Sequence, residues 1–343
     1  MFGDYYYKEH ADSSNRGIGE YANMSEGTNA FDIRRAYLGY DYNISEKFST
    51  EFLLSHEGNN TDSKGNRTVF VKGANVRWKK IFYNSDLVIG QMPTPTWSLL
   101  TEKIWGYRSV EKTITDMRRL ASSSDLGIAL QGKFDSKENF GYNILAANGA
   151  GTKLETDRFK KFYGDVWAKF RNKKIILDLY GDYERTQLSP FHKSKTTAKF
   201  FFAYQTEKIT TGIEAYQQIQ ENNAVFAEFV PSTKIDTINS IAVGVSLFIR
   251  GTILKDKLNF FSRFDMYDPD VKFNYQGSYS GSYSAYNKEN FFTTGLDYAP
   301  IKNVHIIPNI WYCLYMYRNK STSGLPKDDY DMVARITFHY IFK

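Results

Sequence analysis

Alternation of apolar and polar residues with period two dominates this chain. The clearest stretch is the C-terminal DYDMVARITFHYIFK (329–343). There Tyr330, Met332, Ala334, Ile336, Phe338, Tyr340 and Phe342 alternate with Asp331, Arg335, Thr337, His339 and Lys343, and only Val333 and Ile341 interrupt the polar row. Such a run predicts a strand with two differently solvated faces, and it is long against the roughly 5–6 residues usual in soluble sheets. The same pattern recurs. In 174–185, Ile175, Leu177, Leu179 and Tyr183 oppose Asp178, Asp182 and Glu184. In 258–268, Leu258, Phe260, Phe264 and Met266 oppose Asn259, Arg263 and Asp265. About sixteen such segments are predicted: 2–10, 30–42, 48–56, 67–79, 86–92, 125–134, 139–148, 157–171, 174–185, 196–206, 208–220, 238–250, 258–267, 290–299, 304–318 and 329–343.

The connections alternate in length. Short ones fall at 43–47, 80–85, 135–138, 172–173, 251–257 and 300–303; long ones fall at 11–29, 57–66, 93–124, 149–156, 186–195, 221–237, 268–289 and 319–328. Short turns at one end and long loops at the other are the rhythm of an up-and-down barrel in an outer membrane. Lipid supplies no hydrogen-bond partner, so a sheet in it must close on itself. Sixteen strands leave a water-filled lumen. The fold class read from the pattern is therefore all-β: one domain, 1–343, forming a transmembrane antiparallel up-and-down β-barrel of about 16 strands, both termini at the short-turn end.

One stretch departs from the alternation. VEKTITDMRRL (110–120) spaces Val110, Ile114 and Met117 by four and three, which predicts a short helix. It lies in the longest connection, 93–124, the third long loop. Trp97, Leu99, Leu100, Ile104, Trp105 and Tyr107 give that loop a surface to pack, and the inner barrel wall is the available partner. A loop folded into the lumen narrows it, and its charges then meet every permeating solute. Those charges are Lys103, Arg108, Lys112, Arg118 and Arg119 against Glu102, Glu111 and Asp116. Adjacent Arg118 and Arg119 cannot share a helix face, so one is expected toward the pore and one toward the wall.

Composition sharpens this picture. Of 343 residues 17% are aromatic, with 26 Tyr and 26 Phe, yet no apolar run approaches the ~20 residues of a membrane helix. The net charge of +6 admits anionic partners. The basic residues are scattered rather than gathered in a recognised module, so nucleic acid is not among the partners. The single cysteine, Cys313, forms no intramolecular disulfide. His10, His56, His192, His305 and His339 show no metal-ligand spacing, and no phosphate-cradling glycine loop occurs; no metal, no cofactor and no enzymatic activity is expected. Met1 leads straight into FGDYYYKEH, so any secretion signal is expected to have been cleaved. On the alternation, Arg35, Arg77, Lys161, Lys169, Arg171, Arg263 and Arg335 face the lumen with Glu51, Asp165, Asp178, Asp182, Glu184, Asp265 and Asp297, a mixed lining. FNYQGSYSGSYSAYN (273–287) reads as a low-complexity loop.

Three blocks carry a resemblance to a known family. FDIRRAYLGYDYNISEKFSTEFLLS (31–55), with its paired Arg34 and Arg35, is the first. VIGQMPTPTWSL (88–99), RSVEKTITD (108–116) and SSDLGIALQGKF (123–134) form the second, and YNILAANGAG (142–151) the third. Their order and spacing resemble the phosphate-selective porins O and P and their Bacteroidetes relatives, over under half of the chain. One position departs: relatives often carry a lysine in the stretch where this chain has Pro93. The resemblance implies an outer-membrane channel of a Gram-negative bacterium, often a homotrimer, contacting outer-membrane lipid and lipopolysaccharide. It also implies passage of small anionic or neutral hydrophilic solutes, phosphate included. The candidate screen favouring anions is Arg35, Arg77, Lys103, Arg108, Lys112, Arg118 and Arg119. Two other readings stay open: a barrel serving as adhesin or secretion-complex scaffold, and a barrel enzyme.

Overall fold

The structure is a computed structural model that describes residues 1–17, 19–58, 60–188, 191–228, 235–273, 277–279, 287–318 and 327–342. Its strands are β1 (Phe2–His10), β2 (Asn29–Asn43), β3 (Phe48–Glu57), β4 (Phe70–Phe82), β5 (Ser85–Pro93), β6 (Ser124–Lys133), β7 (Phe140–Ala147), β8 (Lys161–Phe170), β9 (Ile175–Gln187) and β10 (Lys193–Gln205). There follow β11 (Ile209–Glu228), β12 (Ile235–Leu254), β13 (Leu258–Asp268), β14 (Gly277–Tyr279), β15 (Asn287–Ile301), β16 (Val304–Tyr317) and β17 (Asp329–Tyr340). Each strand pairs antiparallel with its sequence neighbour, except that three-residue β14 attaches to β11 and β13 pairs directly with β15. Pairing of β1 with β17 closes the ring at sixteen strands, and the Met1 amino group donates to the Tyr340 carbonyl at 2.8 Å. All sixteen segments expected from the alternation are strands, and closure leaves none of the sixteen ring strands at a sheet edge.

The two faces of the wall differ as the alternation predicts. Leu179, Leu247, Ile310 and Phe338 point outward and are exposed, whereas Asp178, Ser246, Trp311 and Thr337 point inward and are buried. Tyr42, Trp78, Phe82, Phe134 and Tyr340 are exposed near strand ends, where girdle aromatics are expected. No described helix is long and apolar enough to cross a membrane.

Two departures have local causes. The polar ENN at 221–223 was expected to end a strand, and instead the β11–β12 ladder resumes beyond it. Four residues of β11 (Gln220 to Ala224) advance against two of β12 (Ser240 to Ile238), with Asn222 in the left-handed region at φ 48°. Asparagine tolerates that conformation, so the segment bulges rather than stops. Arg171, expected in the lumen, lies exposed in the β8–β9 turn. The low-complexity stretch 273–287 falls largely outside the described residues.

The 94–123 segment holds two short helices, α1 (Thr101–Trp105) and α2 (Ile114–Met117). The helix expected over 110–120 is thus a single turn. Val110, Ile114 and Met117 are all buried, but in three different clusters. Val110 packs with Trp105, Tyr107, Phe248 and Phe261; Ile114 with Leu120 and Tyr216; Met117 with Tyr21, Phe291 and Trp311. The apolar spacing marks three anchor points on the inner wall rather than one helix face.

Candidate functional site

The 94–123 segment is tied down by hydrogen bonds from inward-facing wall residues. Arg250 of β12 donates from Nε to the Ile104 carbonyl at 3.0 Å, and Arg263 of β13 donates to the Lys112 carbonyl. Trp311 Nε1 donates to Glu111 Oε2 at 2.7 Å, Thr115 Oγ1 to Glu214 at 2.8 Å, and Lys199 Nζ to Thr101 Oγ1 at 3.0 Å. From the other side, Arg34 Nη1 of β2 reaches the Ser109 and Val110 carbonyls at 2.9 and 3.2 Å. A charged donor on a carbonyl is worth about 1.5–3 kcal/mol each. Together with Trp97 and Trp105 buried against the wall, they fix the segment's path.

Arg34 was not expected inside. Strict alternation turns it outward while Arg35 turns inward. A bulge breaks the alternation: Phe2 pairs with Arg35 but Asp4 pairs with Asp32, so β2 carries one extra residue opposite Gly3. A Cβ on Gly3 would sit 2.2 Å from the Asp32 carbonyl oxygen, so glycine is what lets the chains approach here. Both arginines therefore point into the lumen, a recognised effect of bulges that side-chain parity cannot reveal. Arg34 pairs with Asp4 at 3.2 Å and with Glu20. Glu20 belongs to the 11–28 loop, which also turns onto the inner wall: buried Tyr21 donates to Asp4 at 2.8 Å and packs on Trp311. Burial disfavours ionised Glu20, but the charges of Arg34 and Lys112 outweigh that and hold its carboxyl far below the ordinary range.

The seven expected site residues separate into three groups. Arg35 is nearly buried and shares Glu57 with Lys72 of β4, a basic neighbour the sequence reading missed. Arg108 is held between Glu102 at 2.8 Å and Asp116 at 3.1 Å. Arg118 is buried on Glu289 and stacks over Tyr267 at 4.3 Å. Arg108 and Arg118 are thus neutralised by acids, whereas Arg35 and Lys72 have one acid between them. Arg77 stands apart near the short-turn end, with Asp86 at 3.1 Å and Gln131 at 2.7 Å. Lys103, Lys112 and Arg119 form the third group: among the described residues none has a carboxylate within 4.0 Å. Arg118 faces the wall while Arg119, at φ 55°, is exposed, as their adjacency demands. Burial pushes the Glu102 carboxyl up, with Arg108 pulling it partway back.

The rest of the lining is a lattice of cross-strand pairs. Lys161 meets Asp182 at 3.3 Å, Lys199 meets Asp178 at 2.9 Å, and Arg263 chelates Asp265. The motif blocks at 88–99, 123–134 and 142–151 meet in one corner. Asp125 accepts from Gly149 N at 2.9 Å and from Tyr163 OH at 2.6 Å, and Gln91 donates to the Gly151 carbonyl at 3.2 Å. Those residues clamp the stems of the 94–123 segment. His305 bonds Asp297 at 2.7 Å, and no serine or thiol is hydrogen-bonded to either His305 or His339 among the described residues.

No family model and no curated protein sequence matches this chain. Solved structures do. The outer membrane channel DcaP of Acinetobacter baumannii aligns at a TM-score of 0.67 with 11% identity, over 99% of this chain and 95% of that one. The anion-selective porin from Comamonas acidovorans aligns at 0.62 with 11% identity, over 99% and 98%. OprB of Pseudomonas putida aligns at 0.63 with 10% identity, over 99% and 92%. At such identity the likeness is one of architecture: this chain has the fold of the outer-membrane porins.

Proposed function

We propose that the protein is an outer-membrane porin of a Gram-negative bacterium, passing small hydrophilic solutes by diffusion with a preference for anions, phosphate among them. One observation carries the anion preference. Every acid of the 94–123 segment is engaged: Glu102 and Asp116 by Arg108, and Glu111 by Trp311 Nε1 and the Lys112 amide. Arg108 offsets only one of its two acids and Glu111 is held by neutral donors, so Lys103, Lys112 and Arg119 stand against two remaining acid charges and leave the segment net positive. The segment acts as a constriction loop, where such charges favour anions over cations. Arg35 and Lys72, with only Glu57 between them, add one positive charge on the wall. The apolar outer face suits lipid, and the similarity to phosphate-selective porins and to trimeric porin structures makes a homotrimer in lipopolysaccharide-bearing membrane the working assembly.

The test is reversal potential in planar bilayers under a KCl gradient, repeated with phosphate added. A chloride-selective potential with stepwise conductance supports the reading, and phosphate block indicates a phosphate-binding site in the constriction. Folded, heat-modifiable protein that conducts nothing, or that prefers potassium, overturns it.

A further inference from the structure

Between the 94–123 segment and the short-turn end lies a cavity of about 270 Å³, lined among others by Arg250, Lys208, His305, His339 and Gly106. Arg250 spends only its Nε on the Ile104 carbonyl, and no carboxylate pairs with its guanidinium among the described residues. Gly106, left-handed at φ 73° as the C-cap of α1, makes room for it: the guanidinium carbon lies 3.4 Å from where a Cβ would stand. The acid beside it, Asp297, is already engaged, by His305 Nδ1 at 2.7 Å and by Tyr107 OH at 3.2 Å. That contact uses Nδ1, and among the described residues His305 Nε2 has no hydrogen-bond partner. Glu207 and Lys208 share an exposed turn and offset one another.

We infer that this cavity is a second anion site, distinct from the seven residues of the constriction, which takes a small tetrahedral oxyanion on the Arg250 fork and His305 Nε2. The inference rests on the anion-porin reading but uses different residues. A planar fork and an imidazolium converging on one anion supply the several donors that oxyanion binding needs. The site tightens as His305 takes up a proton. The charged groups facing that ring are Asp297 on β15, His339 on β17, Arg250 on β12, Tyr107 from the segment, the Glu207–Lys208 turn and the amino terminus beside His339. His339 stacks on that ring at 5.6 Å between centroids.

The probe is inorganic sulfate, which stays dianionic between about pH 6 and pH 8 while imidazole titrates. Sulfate added on the short-turn side of single channels should reduce chloride current, with a lower half-blocking concentration at pH 6 than at pH 8. H305Q, which leaves the Arg250 anchor intact, should remove the pH dependence. R250Q should raise the half-blocking concentration about tenfold, the scale of one lost charge-assisted contact. R250K, keeping the charge but not the fork, should fall between. Absence of block in the wild type, or block unchanged in both H305Q and R250Q, overturns the site. Block that responds to K112Q instead leaves the porin reading standing and refutes this one. Block dependent on Arg250 in a channel without chloride preference keeps this site and refutes the other.

Discussion

Freeing Arg108 from its acids should make the channel measurably more anion-selective. Glu102 and Asp116 lie 2.8 and 3.1 Å from that guanidinium, so one base is shared by two acids. E102Q removes one negative charge while keeping the amide oxygen as an acceptor. At about 6 Å from a permeating ion in a water-like lumen, a unit charge contributes about 0.7 kcal/mol. Screening over a Debye length of about 10 Å at 0.1 M salt reduces this to about 0.4 kcal/mol. The sign is opposite for chloride and potassium, so their permeability ratio moves by about 0.8 kcal/mol, or roughly fourfold toward chloride. E102Q/D116N removes both charges and should move it roughly fifteenfold. Arg108 keeps water contact, so the cost in stability stays near that of a partly exposed pair, about 1 kcal/mol or less. The assay is reversal potential under a KCl gradient, at low and at high salt. A ratio unchanged by the double variant, with conductance intact, would show that the α1–α2 face lies outside the ion path. An effect that did not shrink at high salt would show that the change is not electrostatic.

Acidification should mimic E102Q. Burial raises the Glu102 carboxyl, so it protonates at a higher pH than an ordinary glutamate, and chloride preference should rise as pH falls through that range. The rise should be missing in E102Q, and its persistence there would assign the titration elsewhere. R34M strands buried Asp4 without its cation and unlatches the 11–28 loop from the 94–123 segment; about 3–5 kcal/mol should be lost, read as a lower urea midpoint and faster proteolysis of both segments. A midpoint equal to the wild type would refute the latch. I310R, on the exposed outer face of β16, should cost about 2–4 kcal/mol for insertion near the bilayer midplane. Insertion into vesicles as stable as that of the wild type would contradict a lipid-facing wall.

Side-chain parity made the barrel legible because lipid and water lie on opposite faces of every strand. Phe338 beside Thr337 and Leu179 beside Asp178 need no partner to be identified; each residue reports its own solvent. Constrictions are different, because their charge depends on who pairs with whom across the lumen. Arg118 and Arg119 are equivalent in sequence, yet one is cancelled by Glu289, 171 positions away, and the other faces open space. Arg34 adds a second failure. Its inward turn depends on a one-residue bulge against β1, and a bulge shifts parity without altering composition. The motif blocks that resemble phosphate-selective porins likewise report structure before function: Asp125, Gly149 and Gln91 fix the stems of the inward segment. A motif that builds the frame of a constriction can persist while the charges hung on that frame change. Selectivity must therefore be argued from Lys103, Lys112 and Arg119, the bases left unpaired once the frame is assembled, rather than from the motif or from the net charge of the loop.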